Sequence, residues 1–327
     1  MPVARRPVPR RGASAATASS GAAEATSSKH LVYVHGICQH LPGYSDPWWA
    51  ALKPYVPDVV DANRHEVLWS DVIEPAGAPR SSRAAGLARM LTVTGAESPQ
   101  AEVTADLRDV LADRALQQLL EASLAGRSVP AAAAADLIAP PPVLSLDVLG
   151  PQALASIPQL ECVQDFTRYL LENAVREQVI ARFYEVVRPL LEEGAVVEVI
   201  SHSWGTVVAY EALRRLDPVQ GLPGVVHTLF TAGSALSIPP VKRRLLPEAS
   251  DGQRPVLVRR WVNLNARFDV VGGHLRGNPF AVDYEYLNLQ PVGCSSIVPN
   301  PWCAHGSYFN QDNLAVNKQI FGFFIEN

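Results

Sequence analysis

The chain has 327 residues, 48% of them hydrophobic and 18% charged, a balance that supports a large buried core and excludes a disordered or fibrous protein. A formal net charge of -4, from 28 Lys+Arg against 32 Asp+Glu, removes any general attraction to polyanions, so no nucleic-acid partner is expected. No stretch approaches the roughly 18 consecutive apolar residues of a membrane span.

Residues 1–28 are rich in Ala, Ser, Thr, Pro and Arg with no apolar run, and read as a disordered tail. Arg5-Arg6 resembles the start of a twin-arginine signal, but the residues from Gly12 to Thr26 lack the apolar centre a signal peptide needs. That favours the cytoplasm. The remainder, 29–327, is expected to be one folded domain with a helical insertion within about 70–165.

Leu31 to Val34 is a short β-branched and aromatic run ending at His35-Gly36, the pattern of a buried parallel strand opening into a loop. Further strands are expected at Glu66–Trp69, Ala195–Ile200, Val225–Phe230 and Val256–Leu264. Helical spacing runs through Val103, Leu107, Val110, Leu111 and Leu119 over Glu102–Ala125. It recurs through Leu170, Val175, Val179, Phe183, Val187 and Leu190 over Phe166–Leu191. Strands alternating with helices predict an α/β fold, a mainly parallel central sheet with helices on both faces. The connection from Trp69 to Ala195 is too long for one crossover, and its Ala-rich stretch Pro130–Pro142 suggests a cap or lid.

Cys38, Cys162, Cys294 and Cys303 are too scattered for a disulfide framework and form no CxxC pair, so buried or free thiols are expected. Cys294 and Cys303 flank one Pro-containing loop and are the pair able to bridge in an oxidising compartment.

The most specific pattern is Val199-Ile200-Ser201-His202-Ser203-Trp204-Gly205-Thr206. A β-run ends, a serine follows a small residue by two positions, a glycine follows the serine by two, and an amphipathic helix begins. This is the strand–turn–helix context of a nucleophile elbow, with Ser201 standing where Gly is usual. A serine hydroxyl at its free acidity is a poor nucleophile and must be handed a base.

With Leu31–Ile37 ahead of it, the chain resembles the α/β-hydrolase superfamily, in particular its lipases and esterases. The resemblance spans roughly Leu31 to Tyr308 and rests on four short segments. It implies Ser203 as nucleophile, an oxyanion hole made by the Ile37 and Trp204 amides, then an acid and a histidine in that chain order. His35 then orders its loop. Asp269, just past the Val256–Leu264 strand, is the expected acid, with Asp283 in reserve. His305, in a late loop before a terminal helix around Leu314–Phe324, is the expected base; His274 follows the acid too closely.

Such residues imply a serine-dependent carboxylic ester hydrolase working through an acyl-enzyme, with a small-molecule or lipid-like ester as partner and no metal or organic cofactor. Leu41, Trp48, Trp49, Leu236 and Ile238 are the candidate pocket walls. An amidase, peptidase or acyltransferase on the same scaffold, or a catalytically silent binding protein, are the alternatives. Acyl-chain length and oligomeric state are not encoded in these motifs.

Overall fold

The computed structural model describes residues 28–73, 99–126, 163–294 and 301–327. The expected tail up to residue 27 and the Ala-rich stretch Pro130–Pro142 lie outside the described residues.

Six strands form one all-parallel sheet: β1 (Lys29–Val34), β2 (Arg64–Val67), β3 (Val196–His202), β4 (Val225–Ala232), β5 (Val258–Ala266) and β6 (Tyr284–Leu289), in the order β2-β1-β3-β4-β5-β6. The α/β expectation is met. Five strands fall where the sequence placed them, each within two or three residues. β6 was missed because YEYLNL is an edge strand with exposed Tyr284 and Leu287, lacking the apolar run that marks its neighbours.

The period of two along a strand sorts side chains into two cores. From β1, Val32 and Val34 enter one core, while Leu31 and Tyr33 enter the other. The first core packs against α2 (Ser70–Ile73), α3 (Pro99–Gly126), α4 (Val163–Leu171), α5 (Asn173–Glu192) and α6 (Gly205–Arg215). The second is closed by α1 (Asp46–Leu52) and a C-terminal helical run made of Leu314–Val316, Asn317–Gly322 and Phe323–Glu326, the middle part π-helical. Burying each such Val, Leu or Phe stabilises the fold by about 1.5–3 kcal/mol.

Three local expectations are corrected. The single helix over Phe166–Leu191 is two, α4 and α5, broken where Glu172 adopts an extended backbone. Buried Arg176 makes this break tolerable by donating to Tyr169 O, Leu170 O and Arg244 O, so the end of α4 is not left with unpaired carbonyls. Helix α6 does not turn a polar face to solvent; Gly205 through Arg214 are all buried, since it runs behind the sheet and under α5. The thiol expectation also fails: Cys294 and Cys303 form a disulfide, and Cys38 is disulfide-bonded as well. Among the described residues no cysteine is free.

The sheet order fixes where a site can form. From β1 the chain goes to β2 on one side and then crosses to β3 on the other, so the carboxyl ends of β1 and β3 diverge into a crevice. His35–Ile37 leave β1 there and Ser203 leaves β3 there. Among the described residues no helix is long and apolar enough to cross a membrane.

Candidate active site

Ser203 sits one residue beyond β3 with φ 57, the left-handed region that a non-glycine residue rarely adopts. The turn is held by Ser203 N–H donating to Ala232 O on β4, and by Thr206 N–H and its hydroxyl donating to Ser203 O. Small neighbours are required. A Cβ on Gly205 would lie 2.1 Å from His35 O. Ser201 is accommodated where glycine is usual because its hydroxyl donates to Phe230 O at 2.6 Å.

The structure brings Ser203, Asp269 and His305 together. His305 Nε2 lies 2.8 Å from Ser203 Oγ and Nδ1 lies 2.9 Å from Asp269 Oδ1. A carboxylate only accepts, so Nδ1 carries the proton and Nε2 is left to receive the serine's. All three are buried, at 4%, 1% and 7% exposure. His305 does not sit in a loop as expected; it is the fifth residue of a short helix, α7 (Pro301–Gly306), which the Cys294–Cys303 disulfide ties to the end of the segment after β6.

Burial alone would raise the Asp269 carboxyl, but the His305 charge and hydrogen bond, the Gly272 amide and the Tyr308 hydroxyl outweigh it and bring it down to about 2. Val271 N–H and Gly272 N–H both donate to Oδ1, and Tyr308 OH donates to Oδ2 at 2.6 Å. Tyr308 in turn accepts from Ala266 N–H at 2.7 Å. The acid is therefore held from every side. Gly233, at φ +56, is tied to this packing: a Cβ there would lie 2.6 Å from Asp269 Oδ2.

Two further histidines border the nucleophile and stay neutral. His202 is pushed down to about 3 by burial and the nearby His305 charge, and its Nε2–H donates to His305 O, tying β3 to α7. His35 lies well below its ordinary range, through burial first and His40 second. Its Nδ1–H donates to Gly36 O while Nε2 accepts from Trp69 N–H, and its ring lies between those of His40 and Trp69. It orders the loop after β1, as expected.

A cavity of about 230 Å³ opens on Ser203 and His305, with walls that include Ile37, Leu111, Val163, Val271 and Trp302. Ile37 and Trp204 line it, and among the described residues neither amide is spent on a hydrogen bond. No family model, curated protein or solved structure matches this chain.

The five expected wall residues lie elsewhere. Leu41 is 69% exposed on the surface; Trp48 stacks on Phe309 at 3.8 Å; Trp49 is buried with its indole N–H on Asp61. Leu236 and Ile238 are fully buried in the first core. They follow strand ends, as assumed, but the chain turns them into the protein, and α3 with Leu111 supplies the wall instead. Asp283 precedes β6, at the far end of the sheet, where it accepts from Trp261 N–H and Arg254. His274 pairs with Glu285 at 2.5 Å. Tyr308, Arg114 and Gln118 were missed as site residues; none has a local motif, and only the fold brings them to the acid.

Proposed function

We propose that this protein is a serine hydrolase of the α/β-hydrolase superfamily that cleaves carboxylic esters through an acyl-enzyme on Ser203. The observation that carries the reading is the continuous relay Ser203–His305–Asp269, with the serine on a strained turn facing a cavity. Ser203 attacks the ester carbonyl as its proton passes to His305 Nε2, and Asp269 stabilises the imidazolium that forms. The Trp204 and Ile37 amides are the donors offered to the developing oxyanion. His305 then protonates the leaving alcohol, and water, activated by the same imidazole, releases the acid.

The walls favour a neutral, apolar acyl group. A cavity of about 230 Å³ is small beside the ~300–1,000 Å³ usual for ligand pockets, which fits a short chain. Turnover of p-nitrophenyl acetate to octanoate should exceed that of the matching anilides, and Ser203→Ala should abolish it. Faster anilide cleavage would make the protein an amidase; undiminished hydrolysis by Ser203→Ala would end the serine mechanism.

A further inference from the structure

Helix α3 belongs to the long excursion between β2 and β3, yet its side chains reach the acid on the far side of the site. Arg114 Nη1 lies 3.3 Å from Val270 O, 3.1 Å from Val271 O, 3.3 Å from Gly272 O and 3.1 Å from Ser237 Oγ, and Nη2 lies 3.1 Å from Ser237 O. One turn on, Gln118 Nε2 donates to Asp269 O at 2.9 Å. With two hydrogens for four acceptors, Nη1 acts as a positive charge at the focus of three carbonyls rather than as a set of full hydrogen bonds.

The same stretch of backbone faces the carboxylate with its other edge. Val271 N–H and Gly272 N–H donate to Asp269 Oδ1 at 2.8 and 2.9 Å. Both peptide bonds are trans, so each presents its oxygen and its hydrogen on opposite sides. The 270–271 and 271–272 peptide groups each have the oxygen on the guanidinium and the hydrogen on the carboxylate. Two peptide dipoles thus lie side by side between a half-buried cation and a buried anion, each with its oxygen toward Arg114 and its hydrogen toward Asp269, and each charge polarises the bonds that serve the other.

We propose that Arg114 is a positioning residue of the Ser203–His305–Asp269 relay, holding the 270–272 loop closed and stabilising the Asp269 carboxylate through these two peptide groups. The proposal rests on the hydrolase reading for its consequence in catalysis, but not for its electrostatics. On this view α3 is a fixed part of the catalytic machinery, and its Leu111 is a static wall of the cavity.

The sign of the effect follows from the groups around the pair. His305 and Tyr308 face Asp269 from the segment after β6, His202 faces it from β3 with His40 beyond, and Arg114 faces it from α3 with Lys242 behind. Of these, Arg114 is the cation set against the carbonyl oxygens of the peptide groups that serve Asp269. Removing it leaves the deprotonated relay less stabilised than the protonated one, so the His305–Asp269 pair takes up its proton at higher pH.

The test is Arg114→Gln, read by the NMR titration of the His305 imidazole and by the acid limb of the pH–kcat/KM profile. Both midpoints should move up by about half a pH unit or more, with the loss of kcat/KM at neutral pH, about tenfold, falling on kcat rather than KM. Arg114→Lys, which keeps a charge but not the planar fork, should move the midpoint the same way by less, and decides the matter where the glutamine variant does not fold. An unmoved or lowered midpoint in a folded variant overturns the proposal. Absence of ester hydrolysis in the unmodified protein would instead sink the hydrolase reading, while the imidazole titration still decides the role of Arg114.

Discussion

Replacing Tyr308 by Phe removes one oxygen and tests how the acid is held. The hydroxyl donates to Asp269 Oδ2 and accepts from Ala266 N–H, and it is wholly buried, so water cannot take its place. A hydrogen bond to a charged group contributes about 1.5–3 kcal/mol, and leaving Ala266 N–H unpaired adds about 1 kcal/mol, giving a loss of about 2.5–4 kcal/mol at pH 7. The pH dependence discriminates further. Asp269 is depressed from an unfolded value of 3.8 to about 2, so its contribution, about 2.5 kcal/mol, is fully present above pH 4 and is lost as pH falls through about 2. About half of it remains at pH 3. Without the tyrosine hydroxyl the carboxyl moves back toward its ordinary value, and the gap between parent and variant should narrow as the pH falls. Urea unfolding of Tyr308→Phe and its parent at pH 7 and pH 3 measures this. A gap that is below about 0.5 kcal/mol at pH 7, or that does not narrow by pH 3, would refute the reasoning.

Two further substitutions probe the scaffold. Gly205→Ala places a methyl group 2.1 Å from His35 O, a backbone atom that cannot rotate away, so it should cost at least about 3 kcal/mol and weaken hydrolysis by displacing the loop that carries Ile37; a calorimetric midpoint equal to the parent's would contradict this. Replacing both members of the Cys294–Cys303 disulfide by Ser frees a crosslink with a sequence separation of 9, worth about 2.5–3 kcal/mol by loop closure. Because Cys303 lies in α7 two residues before His305, kcat should fall along with thermal stability, and unchanged values of both would show that the bridge does not support His305.

Legibility in the sequence followed the locality of the signal. The strands β1, β3, β4 and β5 are rich in buried apolar and β-branched residues because both faces are covered, and the nucleophile turn is a local motif. Asp269 and His305 were placed by chain order after a strand and before a terminal helix, and the structure brings both to Ser203. What escaped depends on tertiary placement. The edge strand β6 has half its side chains in solvent, and the break at Glu172 is stabilised by Arg176 reaching back from the next helix. The pocket walls were drawn from residues following strand ends, whereas the wall comes from α3, α4, α7 and the loop after Asp269. Arg114 looks like one more charge on a helix until the fold sets it against three carbonyls. The disulfide was legible as a possible pair, but scattered spacing argued for thiols.

The central claim is that Ser203 is activated by His305. Treating the folded protein with a fluorophosphonate and mapping the adduct by peptide mass spectrometry tests it most directly. One phosphonyl group on Ser203, absent after denaturation before labelling and slowed by orders of magnitude in His305→Ala, is the expected result. Labelling that spares Ser203, or proceeds equally fast without the histidine, would contradict the account.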